Sequence, residues 1–269
     1  MITLPTERSV VTNYNPKLMI LMGRPKAGKS SLIASIDDNL IIDLEDGYRA
    51  LSVMKVQARS VKDLEEIKKA IIAKGKELKK APYRFITIDN ATRLEEMSVI
   101  LANDLYRQTA MGASWGLLKD ANGMPVKDPK TGKFIPDPKA DVRQLAQGGG
   151  YLYMRKALRK LIDMFKPLCE TLILVTHVKD KQIRVEGQEM SEMAVDLAGK
   201  TGDIICGEAD AIGLIYRKGN QTFVSFEGGD NTIKEARCPH LRGKKILVAE
   251  SNGDNEVKFD SSKLFINNQ

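Results

Sequence analysis

The sequence predicts an α/β fold with a mostly parallel central sheet and a β-rich C-terminal part. In the first two thirds of the chain, short apolar runs alternate with segments whose apolar residues recur at helical spacing. Parallel strands joined by right-handed crossover helices give this pattern. A glycine-containing octapeptide, GRPKAGKS at residues 23–30, separates the first apolar run from the first helical segment. Later segments are short and separated by turn residues, which predicts hairpins.

The composition predicts one domain. The chain has 269 residues, 42% of them hydrophobic, which suits one α/β core and leaves little for a second full domain. We therefore expect residues 1–269 to form a single domain. We find no apolar run long enough to cross a bilayer and only three widely spaced cysteines. These features predict a soluble protein of a reducing cytoplasm, without a membrane partner.

The first half of the chain predicts three strands, each followed by a helix. Residues 18–22 and 39–47 are apolar runs that predict buried strands. Ser60 is placed to cap a helix with four apolar residues at helical spacing. These four residues are Leu64, Ile67, Ile71 and Leu78. Residues 83–92 predict a third strand that ends at Asp89, and residues 94–108 continue as a helix.

The second half begins with an interruption of this pattern. Residues 112–150 contain two glycine turns, four prolines and many lysines, which predicts an inserted surface hairpin or mobile loop. A helix with one apolar stripe and one basic face follows at residues 151–166, and then a strand at 171–177. Two hairpins are expected next, the second turning at Lys218-Gly219-Asn220. Residues 227–269 form a C-terminal extension with one more strand or short helix.

The octapeptide is a complete G-x-x-x-x-G-K-[ST] phosphate-binding loop between a strand and a helix. In such loops, glycines let successive backbone N–H groups close around phosphates at a helix N-terminus. Lys29 is expected against the β- and γ-phosphates, and the Ser30 hydroxyl on Mg²⁺. ATP or GTP binding follows. The predicted nucleotide-binding residues are Gly23, Arg24, Pro25, Lys26, Ala27, Gly28, Lys29, Ser30 and Ser31.

Three more residues are candidates for this site. Asp89 ends an apolar strand, the position from which a carboxylate helps to hold Mg²⁺ beside a phosphate loop. Glu45 lies just past the second strand, which we expect beside the phosphate-loop strand, where it could activate water. His177, at the end of a later strand, could donate a hydrogen bond to a γ-phosphate. Each of these residues could instead have only a structural role, because carboxylates in turns and histidines at strand ends are common.

The ordered set of motifs resembles the RecA/RadA recombinase superfamily, and more closely the small RecA-like ATPases of phages linked to single-strand annealing. The resemblance covers residues 18–226. After the phosphate loop come Asp43-Leu44-Glu45-Asp46-Gly47, a D-x-E-G-like element in which Asp46 is additional. Asp89-Asn90-Ala91-Thr92 and Thr176-His177 follow, and the segment IGLIYRKGNQTFVSF is similar to late core strands of these recombinases.

The resemblance implies an ATPase with ATP and Mg²⁺ at the site. Glu45 is then the catalytic carboxylate, acting with Lys29, and His177 takes the place of the family's polar sensor. Ser30 and Asp89 hold the metal. The family completes its site with a cation from an adjacent subunit, so we expect a homo-oligomeric ring or filament. The candidate trans-acting cations are Lys234, Arg237 and Arg242.

The resemblance also implies a partner, single-stranded DNA. Two loops line the family's DNA channel, and their counterparts here are residues 112–150 and 179–199. The first mixes cations with rings, which suits backbone tracking and base stacking. Its candidate DNA-binding residues are Trp115, Lys127, Lys130 and Lys133. A solvated lysine-rich loop is the ordinary alternative. The formal charge of +7 also suits a polyanion.

The predicted function is therefore ATP-dependent single-strand binding that assists phage-type recombination or annealing, in the host cytoplasm if the protein is phage-encoded. A single-strand-binding protein is a candidate partner. Residues 1–17 leave no room for the N-terminal domain of the cellular recombinases, which makes full strand exchange a weaker expectation. Two alternatives stay open. One is a nucleotide-gated replication or assembly factor with little turnover, and the other is a small-molecule P-loop kinase.

Overall fold

The computed structural model describes residues 6–8, 10, 12–185, 188–229, 232–251 and 257–267. Side chains are described throughout these ranges except at 183–185, 188 and 190. The predicted DNA-binding loop 179–199 and the predicted C-terminal extension 227–269 therefore lie partly outside the described residues.

The order of elements is α/β in the first part and β-rich in the last. The strands are β1 (Leu18–Met22), β2 (Asn39–Asp43), β3 (Lys55–Gln57), β4 (Phe85–Asp89), β5 (Thr171–Thr176), β6 (Val178–Val185), β7 (Gln188–Val195), β8 (Ala211–Lys218), β9 (Gln221–Ser225), β10 (Glu235–Ala236), β11 (Lys245–Glu250) and β12 (Lys258–Phe259). The α-helices are α1 (Lys29–Ala34), α2 (Val61–Leu78), α3 (Ala91–Arg107), α4 (Gly150–Asp163) and α5 (Thr201–Glu208). Short 3₁₀ helices span Val142–Gln144, Ala146–Gly148 and Lys166–Leu168.

The main sheet is mostly parallel and has β1 near its middle. Its order is β12-β11-β9-β8-β1-β5-β4-β2-β3, with β10 added beside β8. The six strands from β8 to β3 pair in parallel, whereas β9, β10, β11 and β12 pair antiparallel. The predicted α/β class, with a mostly parallel sheet and a β-rich C-terminal part, is confirmed.

Each face of the sheet carries its own hydrophobic core. On one face, α2, α3, α4 and α5 bury their apolar stripes against alternate residues of the central strands. On the other face, α1 and the C-terminal segments pack against the remaining strand residues, including Met19, Leu21 and Ile173. Burial on both faces explains why the strands are continuous apolar runs and do not alternate.

Local sequence features explain the main helix boundaries. Ser60 and Asp63 form a reciprocal capping box at the start of α2, with the Ser60 hydroxyl accepting the Asp63 N–H at 3.2 Å. Asn90 caps α3 by accepting the Arg93 N–H at 2.8 Å. Leu64, Ile67 and Ile71 of α2 are buried as expected, but Leu78 is 44% exposed because the helix ends there, past the edge of the core.

The β6–β7 hairpin forms a separate two-stranded sheet. It leaves the main sheet directly after β5 and returns before α5. Backbone pairing runs from Val178 opposite Val195 to Val185 opposite Gln188. The first of the two expected hairpins is therefore present, and α5 follows it where no helix was predicted.

Residues 112–150 form an irregular hairpin arrangement. Three short extended stretches are joined by backbone hydrogen bonds from Val126 to Leu118 and from Ile135 to Val126, both 2.9 Å. The two predicted glycine turns are present, with positive φ at Gly123 and Gly132. The stretches are held near α3 by Asn103, whose side chain donates to the Ala140 carbonyl at 2.6 Å and accepts from the Val142 N–H at 3.0 Å.

The strand order corrects one expectation. We expected β2 to lie beside the phosphate-loop strand β1. In the structure β4 and β5 stand between them. Crossover connections allow several strand orders, and the apolar runs carry no information about which order is used. Glu45 consequently reaches the site from a more distant strand, across the carboxyl ends of β4 and β5.

Candidate active site

The phosphate-binding loop connects β1 to α1 at the carboxyl edge of the parallel strands. Gly28 has φ of 103°, a conformation that L-residues with a Cβ rarely adopt, and a Cβ there would lie 2.8 Å from the Phe259 ring. At Gly23, a Cβ would lie 2.8 Å from the Ile215 backbone oxygen. Both positions therefore require glycine, as the motif predicts. The loop is held from two sides, by β8 and by the C-terminal strand β12.

Lys29 is the central cation of the loop. Its side chain is buried, and Nζ donates to the carbonyl oxygens of Gly23 at 2.8 Å and Arg24 at 3.0 Å. Nζ also lies 3.4 Å from His177 Nδ1. Burial lowers the pKa of Lys29, and the carboxylates of Asp89 and Glu45 oppose that shift. The ammonium thus lies at the N-terminus of α1, bonded to carbonyl oxygens that the oxygens of a ligand could replace.

A cavity of about 370 Å³ opens over this loop. It brings together residues that are far apart in the chain. Its lining residues are Pro25, Lys26, Gly28, Lys29, Ser30, Ser31, Asp43, Glu45, Gly47, Tyr48, Asp89, His177 and Arg217. All three predicted catalytic residues and both predicted metal ligands are among them. Of the predicted nucleotide-binding residues, Gly23, Arg24 and Ala27 lie outside the lining, and the first two contribute carbonyl oxygens to Lys29.

Asp89 stands at the end of β4, and its carboxylate is half-buried beside the loop. The Tyr48 hydroxyl donates to Asp89 Oδ2 at 2.6 Å. Burial raises the pKa of Asp89, the Tyr48 hydrogen bond lowers it, and the nearby Glu45 charge raises it. The peptide bond between Asp89 and Asn90 is cis.

Asp43 and Glu45 have different roles in the loop after β2. Asp43 is buried, and its Oδ1 accepts the N–H groups of Glu45 at 3.1 Å and Gly47 at 3.2 Å. Its Oδ2 lies 3.4 Å from Lys55 Nζ. Asp43 therefore shapes the turn. Glu45 is exposed, and its side chain has no hydrogen bond or ion pair to any residue that the structure describes, which leaves its carboxylate free to act in the cavity.

The donor set fits a magnesium–nucleotide complex. Mg²⁺ prefers hard oxygen ligands, and the cavity offers the Ser30 hydroxyl with the Asp89 carboxylate close by. The helix N-terminus and Lys29 supply the positive charge that phosphates need. Across the described ranges, no group of three or more His, Cys, Asp or Glu side chains could hold a metal by itself. A metal at this site is therefore expected to share its ligands with the nucleotide and water.

His177 connects the cavity to the β6–β7 hairpin. Its ring faces Lys29, while its backbone carbonyl accepts the Asp196 N–H at 3.0 Å at the base of the hairpin. Asp196 and Ala198, which follow the hairpin, contact α3. The Thr92 hydroxyl donates to the Asp196 carbonyl at 2.8 Å, and the Glu95 carboxylate accepts the Ala198 N–H at 2.9 Å. A continuous set of bonds thus joins the site to the hairpin and to the helix that follows Asp89.

The three candidate trans-acting cations lie away from this cavity. Arg237 follows β10, which pairs with the first residues of β8, so it lies at the opposite edge of the sheet from the phosphate loop. There it donates to the Gly207 carbonyl at 2.7 Å. Lys234 lies 3.4 Å from the Ser225 hydroxyl, and Arg242 is exposed in a turn. None of the three lines the cavity of its own chain.

The candidate DNA-binding residues lie on the 112–150 insertion with different degrees of exposure. Lys127, Lys130 and Lys133 are exposed, and Lys127 Nζ lies 5.0 Å from the centroid of the Phe134 ring. Trp115 is half-buried, with its ring 5.1 Å from Tyr106 in an edge-on contact. The indole is thus partly occupied within the protein. Phe134, 47% exposed, is the more accessible ring of the insertion.

Two cavity residues were missed by the sequence analysis. Tyr48 belongs to the loop after β2 and is buried, and its hydroxyl is bonded to Asp89 at the end of β4. Arg217 is exposed near the end of β8, and its side chain has no bonded partner within the described ranges. The position of β8 beside β1 is what brings Arg217 to the phosphate loop. The sequence carries one indication of this position for Arg217, namely a cation near the end of a late strand.

A family model matches part of the chain. Residues 15–121 match the family model of an AAA domain. The matched segment contains the phosphate loop, Glu45, Tyr48 and Asp89, and the match supports a nucleotide-binding P-loop ATPase. No match is found among curated proteins.

A solved structure also aligns with the chain. It is the KaiC-like protein PH0186 from the hyperthermophilic archaeon Pyrococcus horikoshii OT3, with a TM-score of 0.43 and 11% identity. The alignment covers 92% of this chain and 91% of that one.

Among the residues that the structure describes, no helix is long and apolar enough to cross a membrane.

Proposed function

We propose that this protein is a RecA-like ATPase that binds ATP with Mg²⁺ and hydrolyses it with water. One observation supports the proposal most directly. A single cavity collects the phosphate-loop lysine, a hydroxyl and a carboxylate suited to Mg²⁺, and a free carboxylate beside them. These residues come from three different strand ends, and a phosphate-binding loop without catalytic function would not need them all.

The chemistry follows from the placement of the side chains. Loop N–H groups and Lys29 hold the phosphates and stabilise the charge that develops on the γ-phosphate oxygens. Ser30 and Asp89 would hold Mg²⁺, which supplies further charge neutralisation between the phosphates. Glu45 orients the attacking water and accepts its proton. His177 approaches from β5, where its ring can contact the γ-phosphate.

The proposal includes single-stranded DNA as partner. The formal charge of +7 and the exposed lysines of the insertion are consistent with a polyanion. The β6–β7 hairpin begins directly after His177, so a change at the γ-phosphate has a short route to this separate two-stranded sheet. We further propose that the protein assembles into a ring or filament with a cation supplied by the neighbouring subunit, and that it assists phage-type recombination or annealing.

The rate of ATP hydrolysis, measured without DNA, with a single-stranded oligonucleotide and with the matching duplex, tests this function. The proposal predicts hydrolysis that single strands accelerate more than duplex does. The Lys29→Ala variant serves as the control for contaminating ATPases. Hydrolysis that is unaffected by either DNA would leave an ATPase without the proposed partner. Phosphate transfer to an added nucleoside would favour a kinase.

A further inference from the structure

Tyr48 contacts Asp89, one of the two residues predicted to hold magnesium. Its side chain is 1% exposed, and its hydroxyl donates to Asp89 Oδ2 at 2.6 Å. Ser30, the other predicted ligand, lines the same cavity as Tyr48. Tyr48 lies in the loop after β2, and Asp89 ends β4, so this bond connects two elements that do not follow each other in the chain.

Tyr48 is also the buried anchor of the loop that carries Glu45. In that loop Glu45, Gly47 and Arg49 are exposed, whereas Tyr48 is fully buried. Asp43 fixes the first part of the turn through the N–H groups of Glu45 and Gly47. The Tyr48 phenol fixes the other end. The loop is therefore held at one end by its own strand and at the other by Asp89.

We propose that Tyr48 is a positioning residue that couples the predicted magnesium ligand Asp89 to the loop bearing Glu45. This inference rests on the proposed ATPase function and deepens it. By donating to Oδ2 of Asp89, the phenol restricts the orientation of the carboxylate and leaves Oδ1 without a hydrogen bond among the described residues. The same hydrogen bond holds the loop that carries Glu45 close to the Asp89 carboxylate.

The Tyr48→Phe variant isolates this bond, because phenylalanine keeps the ring and its packing and removes only the hydroxyl. We expect exchange of the backbone amides at 44–49 with deuterium to accelerate about tenfold or more, as loss of a hydrogen bond to a charged group implies. This measurement uses the protein without nucleotide or metal. Tyr83→Phe is the matched control, since its hydroxyl lies at the surface, where it accepts from Lys74 Nζ at 3.2 Å.

Magnesium titration provides the second readout. Binding of a non-hydrolysable ATP analogue is measured by calorimetry at increasing Mg²⁺ concentration. We expect Tyr48→Phe to raise the half-saturating Mg²⁺ concentration about tenfold, because Asp89 is no longer held in one orientation. Binding of the analogue without metal should stay within about twofold of the wild type, since the phosphate-loop amides and Lys29 are untouched.

A double-mutant cycle separates positioning from general packing. If the phenol acts through Asp89, Tyr48→Phe should have little additional effect on exchange in an Asp89→Asn background. Equal effects in both backgrounds, or unchanged exchange and magnesium dependence in Tyr48→Phe, would overturn the inference. The exchange readout needs no turnover, so a wild-type protein that fails to hydrolyse ATP refutes the proposed function while the Tyr48 coupling is judged separately.

Discussion

Replacing Glu45 by glutamine tests the assignment of the catalytic carboxylate. The change is isosteric and removes one negative charge. Because the Glu45 side chain is exposed and has no bonded partner in the described part of the chain, we expect the free energy of unfolding to change by less than about 0.5 kcal/mol. Any large effect on activity would then arise from the chemistry and not from folding.

The expected effect on turnover is large. Loss of a general base slows a reaction by about 10²- to 10⁴-fold, which raises the barrier by roughly 3–5 kcal/mol. ATP affinity should stay equal or become tighter, because a carboxylate that repels the phosphates is gone while Lys29 remains. Single-turnover hydrolysis and titration calorimetry measure the two quantities separately.

Two variants act as controls for this prediction. Asp46→Asn changes the next acidic residue, which contacts Arg49 outside the cavity, and should leave turnover within about threefold of the wild type. Asp43→Asn weakens the contact with Lys55 and loosens the turn. If turnover persists in Glu45→Gln but is lost in Asp43→Asn while both proteins remain folded, then Asp43 is the catalytic carboxylate and the reasoning is wrong.

Three further predictions address the phosphate-loop glycine Gly28, assembly of the protein with ATP, and DNA binding by the insertion. Gly28→Ala should destabilise the protein by about 1–3 kcal/mol in thermal unfolding and weaken nucleotide binding, because φ is positive and the new methyl meets Phe259; unchanged binding and stability would contradict the loop geometry. Light scattering should show larger particles with ATP than without it, since a trans-completed site links the γ-phosphate to assembly; a constant monomer would contradict this. Single-strand affinity should fall with salt at about −0.7 log units per log unit for each neutralised phosphate. Replacing Lys127, Lys130 and Lys133 by alanine should flatten that slope, and an unaltered slope would place the DNA path elsewhere.

Local sequence signals predicted much of the fold and of the phosphate site. The phosphate loop, the Ser60 cap and the strand ending at Asp89 each depend on a few consecutive residues, and each is present in the structure. Apolar runs also predicted buried strands, because a parallel sheet covered on both faces has no polar side. These features depend on short segments alone, so they would be the same in any strand order.

The features that were missed depend on contacts between distant segments. Tyr48 meets Asp89 across 41 positions of sequence, and no spacing rule indicates such a contact. Arg217 reaches the cavity only because β8 lies beside β1. The position of β2 at the far side of β4 likewise follows from strand order. Trp115 was predicted from composition to be available for stacking, but the edge-on contact with Tyr106 could not be read from the insertion alone.

The most direct test of the central claim is release of the γ-phosphate from ATP by the wild-type protein and by Lys29→Ala, prepared in parallel with Mg²⁺ present. The account predicts steady hydrolysis by the wild type and, for Lys29→Ala, loss of both tight ATP binding and phosphate release, because the buried ammonium that faces the phosphates is removed. Equal phosphate release by the two proteins, or ATP affinity that does not change when Lys29 is replaced, would contradict it.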